Sequence, residues 1–393
     1  MTVQIKQDTA GVATFVAGTS GAATLTLPIT TGTIALLTDI TGVTGFTGSQ
    51  NTASPNATVN ASRLLVSATS VNADFVLQPK GNGSVLAQLP DSTATGGDKR
   101  DQNSVDLQTK RTAATQVASG YCSVISGGLS NTASGSTANA VGSQNTASGN
   151  RSAVGGGRQN TASGGDSVIS GGKNNATSGL YGTIGGGTNN RANGKYGTSS
   201  GGYGNLANVS GATASGGVSN TASGEYSSVP GGRYGTTRSI YGAAAIASGR
   251  FGTQGDAQRG QYILRGLTTD ATAKILTSDQ AAASTSNQVV LPNNSSYIVR
   301  GLINSHRSDV IGTSATWSFL GTIRRGANAA ATSVVAAITA TSIAQDAGAM
   351  MPSPWAVAIT ADTTNGCLKV QFTGAASTTI RTVCLVETVE VTS

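Results

Sequence analysis

The chain has 393 residues and a net charge of +7, with 54 glycines but only 10 % charged and 4 % aromatic residues. That composition, rich also in Ser, Thr, Ala and Asn, excludes an enzyme with a large globular core and suits an elongated all-β fibre. No run of 18 apolar residues exists to span a membrane as a helix. Cys122, Cys367 and Cys384 are too few and too scattered for a disulfide framework or a metal site, so no metal or cofactor is expected. The start, MTVQIKQDTAGVATF, lacks the charged head and apolar core of a secretory signal, so assembly in a reducing cytoplasm is expected.

In chain order, residues 1–50 alternate apolar and polar side chains between Gly and Pro turns, through Val12–Val16 and then TLTLPITTGTIALLTDI from Thr24, which predicts short strands. Residues 51–115 open with a Gly, Thr, Asn and Ser-rich stretch carrying an early NTAS at Asn51, a linker or a degenerate rung. Strands at Asp74–Gln78 and Ser84–Gln88 are expected to form a hairpin about the turn at 80–83. Charge then concentrates over 96–115, with Asp98, Asp101 and Asp106 near Lys99, Arg100, Lys110 and Arg111. Paired carboxylates can do acid–base work, but no His accompanies them, and charges at a domain edge are the simpler reading.

Residues 116–250 are organised by a fifteen-residue period. NTASG begins units at Asn131, Asn145, Asn160 and Asn220, with NATSG at Asn175, NRANG at Asn190 and NLANV at Asn205 at the same phase. Counting that Asn as position 1, Ala recurs at position 3, an apolar residue at position 10 and Gly at positions 5, 12 and 13. Two short β-compatible segments separated by glycine turns leave no room for a helix, so each unit predicts one rung of a β-solenoid. About nine rungs at the inter-strand spacing make a shaft roughly 43 Å long. So few inward side chains bury little apolar area, which predicts three chains packed about a common axis. The excess charge lies on this shaft: residues 116–250 hold 8 basic and 2 acidic residues, against 7 and 7 before and 9 and 8 after. That favours solubility or attraction to an anionic surface rather than nucleic acid, since the charges are spread along a rod. Gly202–Ala207 matches G-x-G-x-x-A formally but lacks the flanking strand and helix. Tyr181, Tyr196, Tyr226 and Tyr241 recur at position 7, as stacked surface aromatics or as a platform for sugar rings.

Residues 251–393 predict about eight strands, at Gln261–Arg265, Asn287–Leu291, Ser296–Asn304, Thr316–Arg324, Thr332–Thr339, Trp355–Thr360, Leu368–Thr373 and Ile380–Val391. That is the pattern of a β-sandwich or jelly-roll. His306, Trp317, Arg324, Arg325 and Trp355 are its candidate receptor-binding residues; no catalytic residue is assigned. The tryptophans suit a core as well as a site, and the arginines a charged strand edge.

Several strings resemble bacteriophage tail-fibre proteins. TLTLPITTGTIALLTDITG resembles their amino-terminal modules, and SVDLQTKR the segments that lead into their repeats. The rungs, of the form SVIxGGxxNTASG, also resemble the head repeats of trimeric autotransporter adhesins, which implies a parallel β-roll made by three chains. GRFGTQGDAQ at Gly249–Gln258, TTDAT at Thr268–Thr272, LPNNSSY at Leu291–Tyr297 and ITADTTNG at Ile359–Gly366 resemble a carboxy-terminal domain of cyanophage fibres.

The expected molecule is therefore an elongated homotrimeric fibre in four parts: an attachment module at 1–50, a hairpin and transition segment at 51–115, a β-roll shaft at 116–250 and a receptor-binding β-sandwich at 251–393. Its expected function is non-catalytic adsorption of a virion to a host surface. Its partners would be itself, a baseplate or tail protein, and a host glycan or lipopolysaccharide, with no nucleic acid and no membrane insertion. A bacterial surface adhesin and a tailspike depolymerase are the alternatives; only Asp166 and Glu225 are acidic in the repeats, which disfavours the second.

Overall fold

The computed structural model describes residues 76–309, 313–346 and 355–393, together with the strands Ile5–Gln7, Ala13–Phe15, Thr26–Leu27, Phe46–Asn51 and Ala61–Val66. It divides into Met1–Leu77 and Gln78–Ser393. In the first unit Ala13–Phe15 pairs antiparallel with Ile5–Gln7 and with Thr26–Leu27. Phe46–Asn51 pairs antiparallel with Ala61–Val66, Asn51 opposite Ala61, so the early NTAS does not open a parallel rung. The rest of the TLTLPITTGTIALLTDI stretch, residues 28–40, lies outside the described residues.

The second unit is all-β, its sole described helical turn being the 3₁₀ segment Ala329–Ala331. Its first part is a parallel β-solenoid. Positions 9 and 10 of successive rungs pair in register, Ala153–Val154 on Val168–Ile169 and those on Thr183–Ile184. Positions 2 and 3 form a second, seven-stranded parallel sheet, Thr161–Ala162 on Ala176–Thr177. Position 14 adds a third column of single bridges, Arg158 to Lys173 to Thr188. The solenoid starts upstream of the visible repeat: Val85–Leu86 pairs parallel with Val105–Asp106, and those with Val124–Ile125. The predicted hairpin at 74–88 is therefore absent; Val76–Gln78 is not a strand and Val85–Leu86 belongs to the first turn. These early turns are longer than fifteen residues, so the period does not reveal them.

The rung interior is closed by one chain. Ala133, Ala147, Ala162 and Ala192 at position 3 and Ile125, Val154, Ile169 and Ile184 at position 10 are fully buried without a partner. A thin apolar column therefore does not by itself demand three chains. What the apolar count omits is the position-1 asparagine, fully buried in every unit from Asn131 to Asn220. Asn190 shows the pattern: its Nδ2 donates to the carbonyls of Gly186 and Gly202, each at 2.9 Å, and its Oδ1 accepts the backbone N–H of Asn205 at 2.9 Å. Its own N–H donates to Asn175 Oδ1 at 2.9 Å. Each amide thus joins three successive rungs and satisfies backbone groups that the tight turns leave unpaired, as buried polar groups require. The ladder begins at Gln108, whose Oε1 accepts Asn131 N–H at 2.9 Å, and ends where Gly235 N–H reaches Asn220 Oδ1 at 2.9 Å.

The ladder explains one of the paired glycines and not the other. Gly202, at position 13, has φ +82°, and a Cβ there would lie 2.2 Å from the Gly217 carbonyl and 2.7 Å from Asn205 Nδ2. Gly201, at position 12, faces open space.

Among its described residues the distal region has ten strands: β1 Ala257–Thr268, β2 Ala273–Ile275, β3 Val289–Val290, β4 Ser295–Arg307, β5 Ser314–Arg325, β6 Thr332–Val334, β7 Thr341–Gln345, β8 Ala356–Asp362, β9 Cys367–Thr373 and β10 Ile380–Thr392. β1, β10, β4 and β5 are antiparallel neighbours in that order, and β6 and β7 both pair with β5. β9 carries β8 on one edge and β2 and β3 on the other. Both sheets contribute to one apolar cluster, with Tyr297, Ile303, Phe319 and Val386 from the long-stranded sheet and Leu368, Val370 and Phe372 from β9. The last rung strand, Ala244–Ile246, pairs with Ser228 on its shaft side and antiparallel with β1 on the other, so shaft and distal sheet share one hydrogen-bonded ladder.

Candidate functional site

The predicted site residues fall in three places. On the shaft, Tyr181 and Tyr196 stand on consecutive rungs, rings stacked at 5.1 Å between centroids and 5° between planes. Both adopt left-handed backbone, φ 59° and 58°, as do Cys122, Thr137, Arg151, Asp166, Gly211 and Tyr226 in the same column. A positive φ is uncommon for bulky residues, and position 7 imposes it on every rung. Side chains in this column engage the next rung: Arg151 and Asp166 form a two-bonded ion pair at 2.6 and 2.7 Å. Hydrogen bonds from Arg151 hold the Asp166 carboxyl below its usual range. The tyrosine column is interrupted at Gly211, over which the Tyr226 ring lies, since a Cβ on Gly211 would come within 2.5 Å of its Cδ1.

Tyr241 leaves the column in its backbone, but its ring still meets the Tyr226 ring edge-on at 5.4 Å between centroids. One extra residue enters the last turn, so Ser228 pairs with Ala244, sixteen residues on, and Gly242 takes the left-handed position, its N–H bonded to Glu225 O at 2.8 Å. Tyr241 N–H turns instead to Ser286 O of the distal region at 2.8 Å.

In the distal region the aromatic candidates point inward. Trp317 is buried and meets the Phe372 ring edge-on at 6.1 Å, and Trp355 is half-buried against the same ring at 5.9 Å. Arg325 donates to the Leu291 carbonyl at 2.7 Å, its guanidinium lying over Gly366. His306 and Arg324 are exposed, but near opposite ends of the long sheet: His306 opposes Ser314, and Arg324 opposes Ser296. The five residues do not converge on one site.

A further concavity lies elsewhere. A cleft of about 780 Å³ opens on the outward face of the long sheet, lined by Arg300, Leu302, Leu320, Thr341, Leu385 and Glu387. Glu387 is held by Arg300, at 2.7 Å to Nε, and by Arg259, so hydrogen bonds from the two guanidiniums, Arg300 first, lower its pKa. The sequence signal was in β4, whose Ile298 and Leu302 alternate with Tyr297, Val299 and Ile303, making the strand apolar on both faces. Such strands are usually covered on both sides.

Two further charged groups are structural. Asp106 is fully buried between Arg100 and Arg111, at 2.8 and 3.0 Å, and plugs the first turns of the solenoid. Glu390 on β10 is buried at the joint, accepting from Tyr262 Oη at 2.8 Å, Thr388 Oγ1 at 2.6 Å and Gln258 Nε2 at 2.9 Å, with Arg238 of the last rung at 3.1 Å. Burial, and next the Glu390 charge, push the Tyr262 and Tyr297 hydroxyls well above their usual pKa. Gln254 crosses the same joint, its Nε2 donating to Ser219 O at 2.8 Å and Gly235 O at 3.0 Å. Asp256 accepts three loop N–H groups, from Phe251, Gly252 and Thr253. The string GRFGTQGDAQ is thus the coupling between shaft and distal region. ITADTTNG is likewise a turn, in which Asp362 accepts from Thr364 and Asn365.

The three cysteines are unpaired, Cys367 and Cys384 buried and Cys122 half-buried. Burial, then the charge of Asp362, pushes the Cys367 thiol up to about 12. Among the described residues no group of three or more His, Cys, Asp or Glu side chains is placed to hold a metal, and no helix is long and apolar enough to cross a membrane.

No family model and no curated protein matches the chain. Among solved structures it aligns with the crystal structure of the Acinetobacter phage vB_ApiP_P1 tailspike protein, over 79 % of this chain and 74 % of that one, at 10 % identity and a TM-score of 0.17. A likeness at that level has no bearing on function.

Proposed function

We propose that the chain is a virion tail-fibre protein whose solenoid is a shaft and whose distal region, read as a β-sandwich of the two sheets that share one core, recognises the host surface without catalysis. The observation that carries this reading is the joint. Gln254, Gln258 and the Arg238–Glu390 pair fasten the last rung to β1 and β10, so the solenoid continues into the distal sheet as one hydrogen-bonded body. A rod fixed rigidly to a distinct terminal domain suits presentation of that domain at a distance. The joint is built from the very string that resembles cyanophage fibres. Attachment to a baseplate or tail protein is assigned to residues 1–50, and the fibre is placed on the virion as a homotrimer. The non-catalytic part of the reading is supported by Asp166, engaged by Arg151, and by Asp106 and Glu390, both buried and partnered. The receptor class is a surface glycan or lipopolysaccharide, which exposed Arg158, Lys173, Arg191 and Arg233 would attract along the shaft.

The test is to incubate the purified full chain with a panel of bacterial lipopolysaccharides and capsular polysaccharides, reading both retention and release of reducing ends. Saturable retention on a subset with no release is the expected result. Release of reducing ends would replace the reading with a depolymerase, and absence of retention on every member would overturn host recognition.

A further inference from the structure

We infer that the cleft at the β5 edge of the long distal sheet is where the distal region binds its glycan, and that it takes a sugar unit bearing an anionic substituent, a carboxylate or a phosphate. The inference rests on the reading of the distal region as the part that recognises a glycan. The cleft exists because the edge of β5 is only partly paired. β6 pairs with Ile323–Arg325 and β7 with Ala315–Ser318, so among the described residues 319–321 have no partner strand on that edge. Between β6 and β7 the chain turns inward instead. Ile338 is buried over Gly321, where a Cβ would lie 2.5 Å from its Cγ1, and it bridges to Ile359 on β8. Thr339 is left exposed at the cleft lining.

The gap offers main-chain groups. Val335 N–H donates to the Thr322 carbonyl at 2.9 Å on this edge. Main-chain groups of alternate residues in a strand point the same way, so the N–H and C=O of Leu320 face the cleft. One such pair is no template for an added strand, which needs a row of them, but it can serve the hydroxyls of a sugar. The volume, about 780 Å³, falls within the range of about 300–1,000 Å³ usual for small-molecule sites.

Register sets two kinds of group side by side on the floor. One cross-strand row runs Gln261, Glu387, Arg300 and Leu320, and the next runs Ile263, Leu385, Leu302 and Ser318. Leu302 is 55 % and Leu320 68 % exposed. A sugar ring presents C–H faces and a rim of hydroxyls, so it needs apolar surface beside fixed polar groups. The polar groups here are fixed: Arg300 gives Nε and Nη2 to one oxygen of Glu387, at 2.7 and 2.6 Å, and Arg259 holds the other oxygen. Arg300 Nη1 has no partner among the described residues. One carboxylate between two guanidiniums leaves a net positive charge, and the remaining ionic residues of the face are Arg265, Arg324 and Arg381. A neutral sugar would leave that charge unanswered, whereas an anionic substituent meets it with a charge-assisted hydrogen bond.

The experiment measures binding of the full chain and three variants to an array of bacterial oligosaccharides with uronate-bearing, phosphate-bearing and neutral members. Retained members are expected to carry uronate or phosphate, the two arms telling one anion source from the other, and affinity is expected to fall as salt rises. Arg300→Gln, which removes the free guanidinium edge, and Thr339→Trp, which adds bulk at the cleft lining, are each expected to weaken binding about tenfold or more, with an unchanged far-ultraviolet circular dichroism spectrum. Arg158→Gln with Lys173→Gln, on the shaft, is expected to weaken it about twofold at most. Retention confined to neutral members, binding that survives both cleft variants, or an equal loss in the shaft variant would overturn the site while leaving host recognition standing. No retention of any member would overturn host recognition, and this inference with it.

Discussion

The shaft and the distal region reach stability by opposite routes. In the distal region long strands bring sequence-remote side chains into one apolar cluster: β1 opposes β10 across more than a hundred residues, and Tyr297, Phe372 and Leu264 are wholly inside. In the fifteen-residue rungs no buried apolar side chain is larger than Ile, and each rung touches only its neighbours. There the buried asparagines do what aromatic bulk does distally, by pairing backbone groups that would otherwise be left unsatisfied. A solenoid core can therefore be narrow if it is polar and fully hydrogen-bonded.

Breaking the ladder should produce the largest effect. Asn190→Ala leaves Gly186 O and Asn205 N–H without a partner, while Gly202 O keeps the Thr188 N–H. At about 1–3 kcal/mol for each of the two buried groups left unpaired, the loss is about 2–6 kcal/mol, read as a lowered shaft transition in denaturant. Phe372→Ala attacks the other region. It removes the ring on which Trp317 and Trp355 converge and should cost about 3–5 kcal/mol, confined to a distal transition. The paired glycines sharpen the account of the shaft at one site. Gly202→Ala must hold a positive φ and meet the Gly217 carbonyl, costing about 2 kcal/mol or more. Gly201→Ala is expected to stay within about 0.5 kcal/mol of wild type.

The smallest effect is acid sensitivity. Glu387 has a lowered folded pKa, so its contribution is complete above the ordinary value of 4.5 and is lost as pH falls through the folded one. Thermal melts should therefore decline below about pH 4.5, and more shallowly in Glu387→Gln. An equal decline in that variant would remove Glu387 from the account.

Much of this was legible in the residues. The period gave the rungs because parallel stacking repeats the same side chain at the same place, and the two β segments fall at positions 2–3 and 9–10 as expected. Eight of the ten distal strands announced themselves through alternation; Ala273–Ile275 and Thr341–Gln345 are short edge pieces whose pairing depends on the neighbour. What stayed hidden depends on distance in the fold rather than along the chain. Gln108, Arg100 and Asp106 extend the solenoid below the first repeat, but turns of unequal length carry no period. Arg238 and Glu390 meet across 152 residues. Tyr241 kept the spacing, yet one inserted residue shifted its backbone out of the left-handed position while its ring stayed edge-on against Tyr226. The asparagine offered a signal that apolar counting overlooks: it persists unchanged through seven units in which position 10 drifts from Ile to Ser.

Hydrogen exchange on the full chain tests the central claim, that the shaft holds itself together rung by rung. In Phe372→Ala the distal region is weakened while Asn131 to Asn220 keep their bonds. The account predicts that peptides spanning 131–235 then exchange as slowly as in wild type, and that Asn190→Ala opens them. Loss of shaft protection in Phe372→Ala, or its retention in Asn190→Ala, would contradict it.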